Sequence, residues 1–334
     1  MNWRSFGLGN KKVKYKILNT IGLEFSGKAK KITDTFGQSD YKSISQNKLP
    51  EEIEKYDITI IGLANKFDKG VLEKATNLKI IATPATGLDH IDLETAKEMG
   101  IEVLSLRGET EFLNSITGTA ELAFGLMLAL LRYIPSSFSD VKGGRWDREK
   151  WRGRNLSGMT FGVVGAGRLG RWMIRYGNIF GMKVLFCDPN VNEKDLDTPA
   201  KKVSFDTLLN ESDVISIHVH LLAETENMFT KETFKKMKKT AVLVNTARGK
   251  IVNEENLLEA LEEKIIAGYA TDVLSDELDF KNNAFSDHPL VEYSKTNTNC
   301  IIVPHIGGMT HESREATDVF IAKKIKKHLD SKGR

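Results

Sequence analysis

Apolar and polar positions alternate along this chain in a way that changes period several times. In the first third, short apolar runs at 16–18, 57–62, 79–82 and 102–104 read as strands. Between the last two, 93–99 has helical spacing and Gly100 as its stop. Residues 119–132 are continuously apolar, which predicts a helix buried between domains or subunits, ended by Ile134-Pro135. An irregular connection is expected over 140–157, where Gly143, Gly144, Trp146, Trp151 and Gly153 are mixed with Arg145, Arg148, Lys150, Arg152 and Arg154. Regular alternation then resumes. Strands are expected at 159–164, 182–187, 214–220, 241–245, within 266–273 and at 300–303, and helices at 171–180, 205–210, 231–237 and 254–263. Six or seven parallel strands between 160 and 303, after a smaller sheet, make an α/β chain whose second part is a doubly wound domain. The tail over 313–327 is helical in pattern.

Composition narrows the class. The 334 residues suffice for two domains, and 40% apolar with 28% charged residues is ordinary for a globular protein. A net charge of +3 does not argue for nucleic acid. The basic run Lys323-Lys324-Ile325-Lys326-Lys327-His328 reads as a solvated helix face, and the basic and aromatic residues of 140–157 are too few for a nucleic-acid arm. Cys187 and Cys300 form no disulfide framework, so reduced thiols and a cytoplasmic location are expected. No signal peptide is evident, and the apolar segment 120–131 is too short to span a bilayer, so no membrane partner is expected.

The chemistry begins at Gly165-Ala166-Gly167-Arg168-Leu169-Gly170, between an apolar strand and a helix, with Asp188 at the end of the next strand. Gly165 permits the tight turn, Gly167 lets a pyrophosphate approach the backbone, and Gly170 lets helix and strand pack closely. The helix N-terminus then faces an anion. Asp188 can accept hydrogen bonds from a ribose diol and would repel a 2′-phosphate, so NAD is favoured over NADP.

Three further groups sit where strands end, on the side where open parallel sheets bind ligands. They are Asn245 to Gly249 with Arg248, the stretch with Asp272 and Glu277, and Pro304 to Gly308 with His305. Arginine can bind a carboxylate or polarise a keto oxygen, histidine can exchange a proton with an alcohol oxygen, and a neighbouring carboxylate favours the imidazolium. That set suits hydride transfer between NAD and a 2-hydroxy/2-oxo acid. His218 and His220 share a strand face, yet no third ligand stands at metal spacing, so no metal is expected. Ser115 and Ser216 lack a nucleophile-elbow setting.

These stretches also carry a resemblance. Thr86 to Leu93, Thr119-Ala120-Glu121-Leu122, the glycine turn with Asp188, Ser216 to Leu221 with Thr225, Asn245 to Gly249, Asp272-Val273 and Pro304 to Gly308 together resemble the D-isomer-specific 2-hydroxyacid dehydrogenases, a family that includes phosphoglycerate dehydrogenases. The resemblance spans about 80 to 310. It implies a catalytic set of Arg248, Glu277 and His305. It implies cofactor contacts at Thr119, Gly165, Gly167, Arg168, Leu169, Gly170, Asp188, Val219, His220, Thr225, Thr246, Ala247, Arg248, Asp272, His305, Gly307 and Gly308. Backbone amides of Ala85, Thr86 and Gly87, with Arg248 and His305, would bind the substrate. The implied fold is a Rossmann NAD-binding domain, 118–305, inserted in a discontinuous flavodoxin-like substrate domain, 1–117 with 306–334, and the implied assembly is a homodimer with helix 119–132 as a contact. No regulatory domain is expected after the core. The chain departs from the family at Leu278, where proline is usual, at His220, also usually proline, and over 107–117, which is longer than the usual connection. A binding-only reading, an NAD-sensing partner protein like the corepressors of similar sequence, is the alternative. The substrate is left open, with glyoxylate, hydroxypyruvate and phosphoglycerate types in view and Arg107 as the basic residue placed for a phosphate.

Overall fold

The computed structural model describes residues 15–275, 277 and 287–332. Leu278, together with Asp276 and Asp279, lies outside the described residues. The chain forms two compact units, 1–109 with 314–334, and 110–313. Segments 110–117 and 306–313 therefore go with the second unit.

The first unit holds a five-stranded parallel sheet of β1 (Tyr15–Asn19), β2 (Gly37–Tyr41), β3 (Ile58–Ile60), β4 (Ile80–Ala82) and β5 (Glu102–Leu104), in the order β2-β1-β3-β4-β5. That order is the flavodoxin-like one. Ile17, Ile58, Ile60 and Ile80 pack on one face with Ile321, Ala322 and Ile325 of the terminal helix His311–Lys332. Leu18, Ile61 and Ile81 face the other way, against Leu49, Ile53, Val71 and Leu72. Alternate residues of each strand thus feed two cores, as a sheet covered on both faces requires. Within the terminal helix Lys323, Lys326 and Lys327 are exposed, while Lys324 donates to the Ser105 carbonyl at 2.8 Å and pairs with Glu109 at 2.5 Å. At the carboxyl ends of the strands, the Leu106 amide donates to the Ala85 carbonyl at 3.0 Å, so the half-buried turn Ala85-Thr86-Gly87 is tied to the chain leaving β5.

The second unit holds β6 (Thr160–Val164), β7 (Lys183–Cys187), β8 (Lys201–Lys202), β9 (Val214–Ile217), β10 (Val242–Asn245), β11 (Gly268–Thr271) and β12 (Cys300–Ile302). All are parallel, in the order β12-β11-β10-β9-β6-β7-β8. This is the Rossmann arrangement extended by one strand, and strand order reverses between β6 and β9, where such sheets bind ligands. Phe161, Val163, Val242 and Val244 enter one core with the apolar helix Gly118–Leu131, and Val164, Ile217 and Leu243 enter the other with Leu208, Phe234 and Leu257.

The apolar helix stops at Arg132, but Ile134-Pro135 does not end the helical path. Tyr133 takes a left-handed backbone (φ 52°), and a new helix, Ile134–Lys142, starts at once with proline in its first turn. There the missing amide costs nothing, since first-turn amides have no intrahelical partner. The connection over 140–157 is organised around buried Asp140. It accepts hydrogen bonds from Arg145, Lys150 (2.9 Å) and Trp151 Nε1 (3.1 Å), and the Arg145 and Lys150 contacts hold its carboxyl down at about 2. Arg148 and Arg152 pair with Glu149. Arg145, Arg148, Lys150, Arg152 and Trp151 are thus engaged with acids of this stretch, whereas Trp146 is exposed. Counted with the short helix Thr110–Leu113, the segment Thr110–Leu131 reaches 22 residues, so its length and composition would permit a membrane span, contrary to the sequence-based expectation. Ala120, Ala123, Phe124, Met127 and Leu130 of that segment are buried in the unit's own core, as in a core helix.

Candidate active site

The glycine turn is built by close backbone approaches. Gly165 has φ +89°, and a Cβ there would lie 2.6 Å from the His218 carbonyl oxygen, across the reversal point of the sheet. A Cβ on Gly170 would lie 1.9 Å from the Gly165 carbonyl oxygen, so the helix Arg168–Ile179 can begin this close to β6 only with glycine there. Gly167 precedes that helix, and a Cβ on it would meet nothing within 4 Å, which leaves open space directly over the first-turn amides. Those amides have no intrahelical partner and present a positive dipole end. The Arg168 guanidinium points elsewhere, donating to the carbonyls of Leu113 (3.1 Å) and Ile116 (2.5 Å), so what Arg168 and Leu169 offer a pyrophosphate is backbone amide.

Asp188 follows β7 and is held by three amides, Ala166 (2.8 Å) on Oδ2 and Asn190 (2.7 Å) and Val191 (3.0 Å) on Oδ1. It is thereby locked against the glycine turn. Beyond β9, half-buried Val219 packs beside Gly165, and exposed His220 is followed by a turn that Thr225 closes. The Thr225 hydroxyl donates to the His220 carbonyl (2.6 Å) and accepts from the Leu222 amide (2.8 Å), so its first task is to shape this turn. His218 is half-buried, with Nε2 2.7 Å from the Ser216 hydroxyl, and desolvation of its ring pushes the imidazole down to about 3, which keeps it neutral. Among the described residues no cluster of three His, Cys, Asp or Glu side chains could hold a metal.

The Asn245 to Gly249 loop is made by its own asparagine. Buried Asn245 donates from Nδ2 to the Arg248 carbonyl (2.9 Å) and accepts from the Ala247 amide (3.0 Å), presenting Thr246 and Arg248 at the carboxyl end of β10. The Arg248 guanidinium is half-buried and donates to the Ala247 carbonyl at 2.7 Å. Sequence reasoning named neither Asn245 nor Gly249 as functional. A Cβ on Gly249 would sit 2.1 Å from the Leu274 carbonyl carbon and 2.3 Å from the Ser275 nitrogen, so this loop bears directly on the one leading to Glu277.

The third group closes the site. The His305 amide donates to the Asp272 carbonyl (2.8 Å) and the Gly307 amide to Asp272 Oδ2 (2.8 Å), and His305 itself sits at φ 44°. His305 Nδ1 lies 2.7 Å from Glu277 Oε1. A carboxylate accepts only, so Nδ1 carries the proton of this bond and Nε2 is left for a reactant. Burial alone would lower the His305 pKa, but the Glu277 hydrogen bond and the charges of Glu277 and Asp272 outweigh it and raise the pKa above 6.5, against a smaller opposing effect of Arg248. Asp272 is buried, and burial raises its carboxyl above 3.8 against the pull of His305 and the Gly307 amide. A Cβ on Gly307 would lie 3.0 Å from both Asp272 and Thr119, which places Thr119 beside this loop, whereas Gly308 is open.

The second unit therefore brings Arg248, Asp272, Glu277 and His305 together on one edge of the sheet, at the ends of β10, β11 and β12. Ala85, Thr86 and Gly87 belong to the first unit. The residues fit a dinucleotide. Besides the open cradle over Gly167, Thr246 Oγ1 and Asp272 Oδ1 are buried polar atoms with no protein partner, at the positions expected to meet the nicotinamide end.

Comparison with known proteins agrees with that reading. Residues 124–307 match the model of the D-isomer specific 2-hydroxyacid dehydrogenase, NAD binding domain. A glyoxylate reductase of Thermococcus litoralis is 36% identical over 294 residues, covering 86% of this chain and 84% of that protein. A D-3-phosphoglycerate dehydrogenase of Methanocaldococcus jannaschii is 34% identical over 302 residues, 90% of this chain, though the chain spans only 55% of that relative's length. Among solved structures, a D-lactate dehydrogenase from Aquifex aeolicus, complexed with NAD and lactic acid, superposes with a TM-score of 0.82 at 29% identity, over 95% of this chain and 96% of that one. A strand order that reverses beside the glycine turn, an acid locked at the end of β7 and these matches along most of the chain lead to one conclusion: this protein belongs to the D-isomer-specific 2-hydroxyacid dehydrogenase family and carries that family's NAD-binding domain.

Proposed function

We propose that the chain interconverts a D-2-hydroxy acid and its 2-oxo acid, with His305 as general acid/base, Glu277 as its partner and Arg248 as the substrate-binding cation. The observation that carries this is the 2.7 Å contact between His305 Nδ1 and Glu277 Oε1, beside Arg248 at the end of a nucleotide-binding sheet. NAD, when bound, supplies or accepts the hydride at C2 of the substrate. The amides at Gly165, Gly167, Arg168, Leu169 and Gly170 would hold its pyrophosphate and Asp188 its adenosine ribose. Val219, His220 and Thr225 would line the adenosine side, and Thr119, Thr246, Ala247, Asp272, Gly307 and Gly308 the nicotinamide side. In the reduction direction the His305 imidazolium gives its Nε2 proton to the C2 oxygen and is left neutral. In oxidation the neutral ring takes that proton back. Glu277 keeps the ring oriented and favours its charged form, and the Arg248 fork binds the substrate carboxylate or polarises the keto oxygen. In the first unit, the amides of Ala85, Thr86 and Gly87 would hold the carboxylate. The substrate would be a short 2-oxo acid of the glyoxylate, hydroxypyruvate or phosphoglycerate type. No observation favours the binding-only, corepressor-like reading over this one.

Turnover is tested by NADH oxidation with a panel of 2-oxo acids, phosphorylated ones included. Loss of NADH with none of them, while NADH binds, would sink the proposal. The acid–base pair has a pH signature. Glu277→Gln removes the charge that raises the His305 pKa, so burial takes over and the pKa falls. Reduction needs the imidazolium, so its high-pH decline should move to lower pH by about one unit. An unmoved profile contradicts the pairing.

A homodimer and a cytoplasmic location belong to the same proposal. The helix Gly118–Leu131 is largely used in its own core, and the contact we propose includes the next helix. There Ile134, Phe138 and Val141 are 51%, 63% and 52% exposed and Trp146 is 87% exposed, an apolar surface that a second copy would cover. Phe138→Asp should convert dimers to monomers in sedimentation velocity, and an unchanged sedimentation coefficient would place the contact elsewhere.

A further inference from the structure

Among the described residues, Glu277 makes two long hydrogen-bond contacts with the segment that delivers it. The Glu277 amide lies 3.5 Å from the Leu274 carbonyl, and the Leu274 amide 3.4 Å from Glu277 Oε2. Both are long for such bonds. Upstream, Thr271 anchors the chain through Oγ1, 2.8 Å from the Asn245 carbonyl and 3.0 Å from the Val273 amide. Gly249 blocks residues 274 and 275 from one side by direct backbone contact.

A further restraint comes from a residue outside the motifs named above. Glu254 is the first residue of the helix Glu254–Glu262, where an acid is ordinarily explained by the helix dipole. Its Oε1 accepts the Ser275 amide at 2.9 Å, two residues before Glu277. Its Oε2 lies 3.4 Å from Nε2 of His288, the residue that precedes the helix Pro289–Thr296. The two side chains are only 16% and 14% exposed, so the contacts are shielded from water. One carboxylate thus joins the chain segment entering the Glu277 turn to the point where the chain is again described beyond it. A charged acceptor on a backbone amide is stronger than a neutral one, which suits a clamp on a loosely bonded turn.

We infer that Glu254, through Ser275 and with His288, is a positioning residue that sets the distance between Glu277 and His305 and thereby the acid strength of His305. The inference rests on the proposed Glu277–His305 pair. Among the described residues, the charged side chains that bear on His305 are Glu277, Asp272 and Arg248, while Glu254 meets His288 and the buried, uncharged Tyr269. Glu254 therefore acts on His305 through the position of Glu277.

The test is an imidazole NMR titration of the full chain, with the His305 signal assigned by its loss in His305→Asn. In Glu254→Ala the His305 pKa should fall by about half a unit or more. The high-pH decline of 2-oxo acid reduction should move with it, and NADH affinity should stay within about twofold. Glu254→Gln keeps an acceptor for Ser275 but loses the charge, so a smaller shift in the same direction is expected. His288→Gln, which leaves the Ser275 contact intact, supplies the same comparison if Glu254→Ala fails to fold. A structural role alone would lower the melting temperature and leave the titration in place. If His305 titrates as in the native chain in every folded variant at these two positions, while Glu277→Gln shifts it, the Glu254 role is overturned and the acid–base pair stands. If Glu277→Gln fails to shift it as well, the pair itself is wrong, and the role of Glu254 falls with it.

Discussion

His305→Ala should lower the rate of 2-oxo acid reduction by about 10²–10⁴-fold, the usual worth of a positioned general acid, with NADH affinity nearly unchanged. The imidazole is the group whose Nδ1 is bound to Glu277 and whose Nε2 is left for the reactant. Removing it takes away proton donation at the C2 oxygen but none of the amides around Gly167. Residue 305 sits at φ 44°, a left-handed backbone that histidine and asparagine adopt more readily than alanine, so the alanine variant adds a backbone penalty to the loss of the ring. His305→Asn is the better folded control, because asparagine tolerates the left-handed region. The variant should also lose the pH dependence that Glu277 imposes. Stopped-flow and steady-state NADH oxidation check both points, and near-native turnover in either variant removes His305 from its role.

Gly170→Ala should damage fold and cofactor binding together. Its Cβ would lie 1.9 Å from the Gly165 carbonyl oxygen, and the obstacle is backbone rather than a side chain that could swing away. The helix Arg168–Ile179 would have to shift off β6, at a cost of about 3 kcal/mol or more. For a domain of this size that corresponds to a melting temperature lower by about 6–12 °C. The displaced end of the helix is the one whose amides would hold the pyrophosphate, so NADH affinity should fall as well. Gly167→Ala separates the two effects. Its Cβ meets nothing within 4 Å, so stability should hold while the methyl fills the space a pyrophosphate needs. Thermal melts with NADH fluorescence titrations distinguish the variants, and a Gly170→Ala chain that melts and binds like the native one would contradict the packing account.

Much of the second unit was legible because its residues have local reasons. Gly165 and Gly170 are dictated by close approaches that only glycine allows, Gly167 stands beside open space, and Arg248 and His305 stand at the ends of strongly apolar strands. What escaped notice depends on contacts distant in sequence or on polar elements. β2 is Gly37–Tyr41, an edge strand with the residues GlyGlnSerAspTyr, and it carries no apolar run to announce it. Ile134-Pro135 reads equally as a stop or a start, and the left-handed Tyr133 that decides the matter has no sequence signature. The Arg168 guanidinium bonds to carbonyls more than fifty residues away, at Leu113 and Ile116, which no spacing rule anticipates. Glu254 is in the same position, since its partners Ser275 and His288 are 21 and 34 residues further along.

In the proposed reaction a hydride reaches C2 of a 2-oxo acid while His305 supplies the proton. This is tested most directly by incubating the native chain with NADH deuterated at C4 and the 2-oxo acid panel, then analysing the product by chiral separation and mass spectrometry. The expected product is a D-2-hydroxy acid carrying deuterium at C2, formed by the native chain and almost lost in His305→Ala. A chain that binds NADH yet places no deuterium at C2 of any acid, or one that forms the L product, would contradict it.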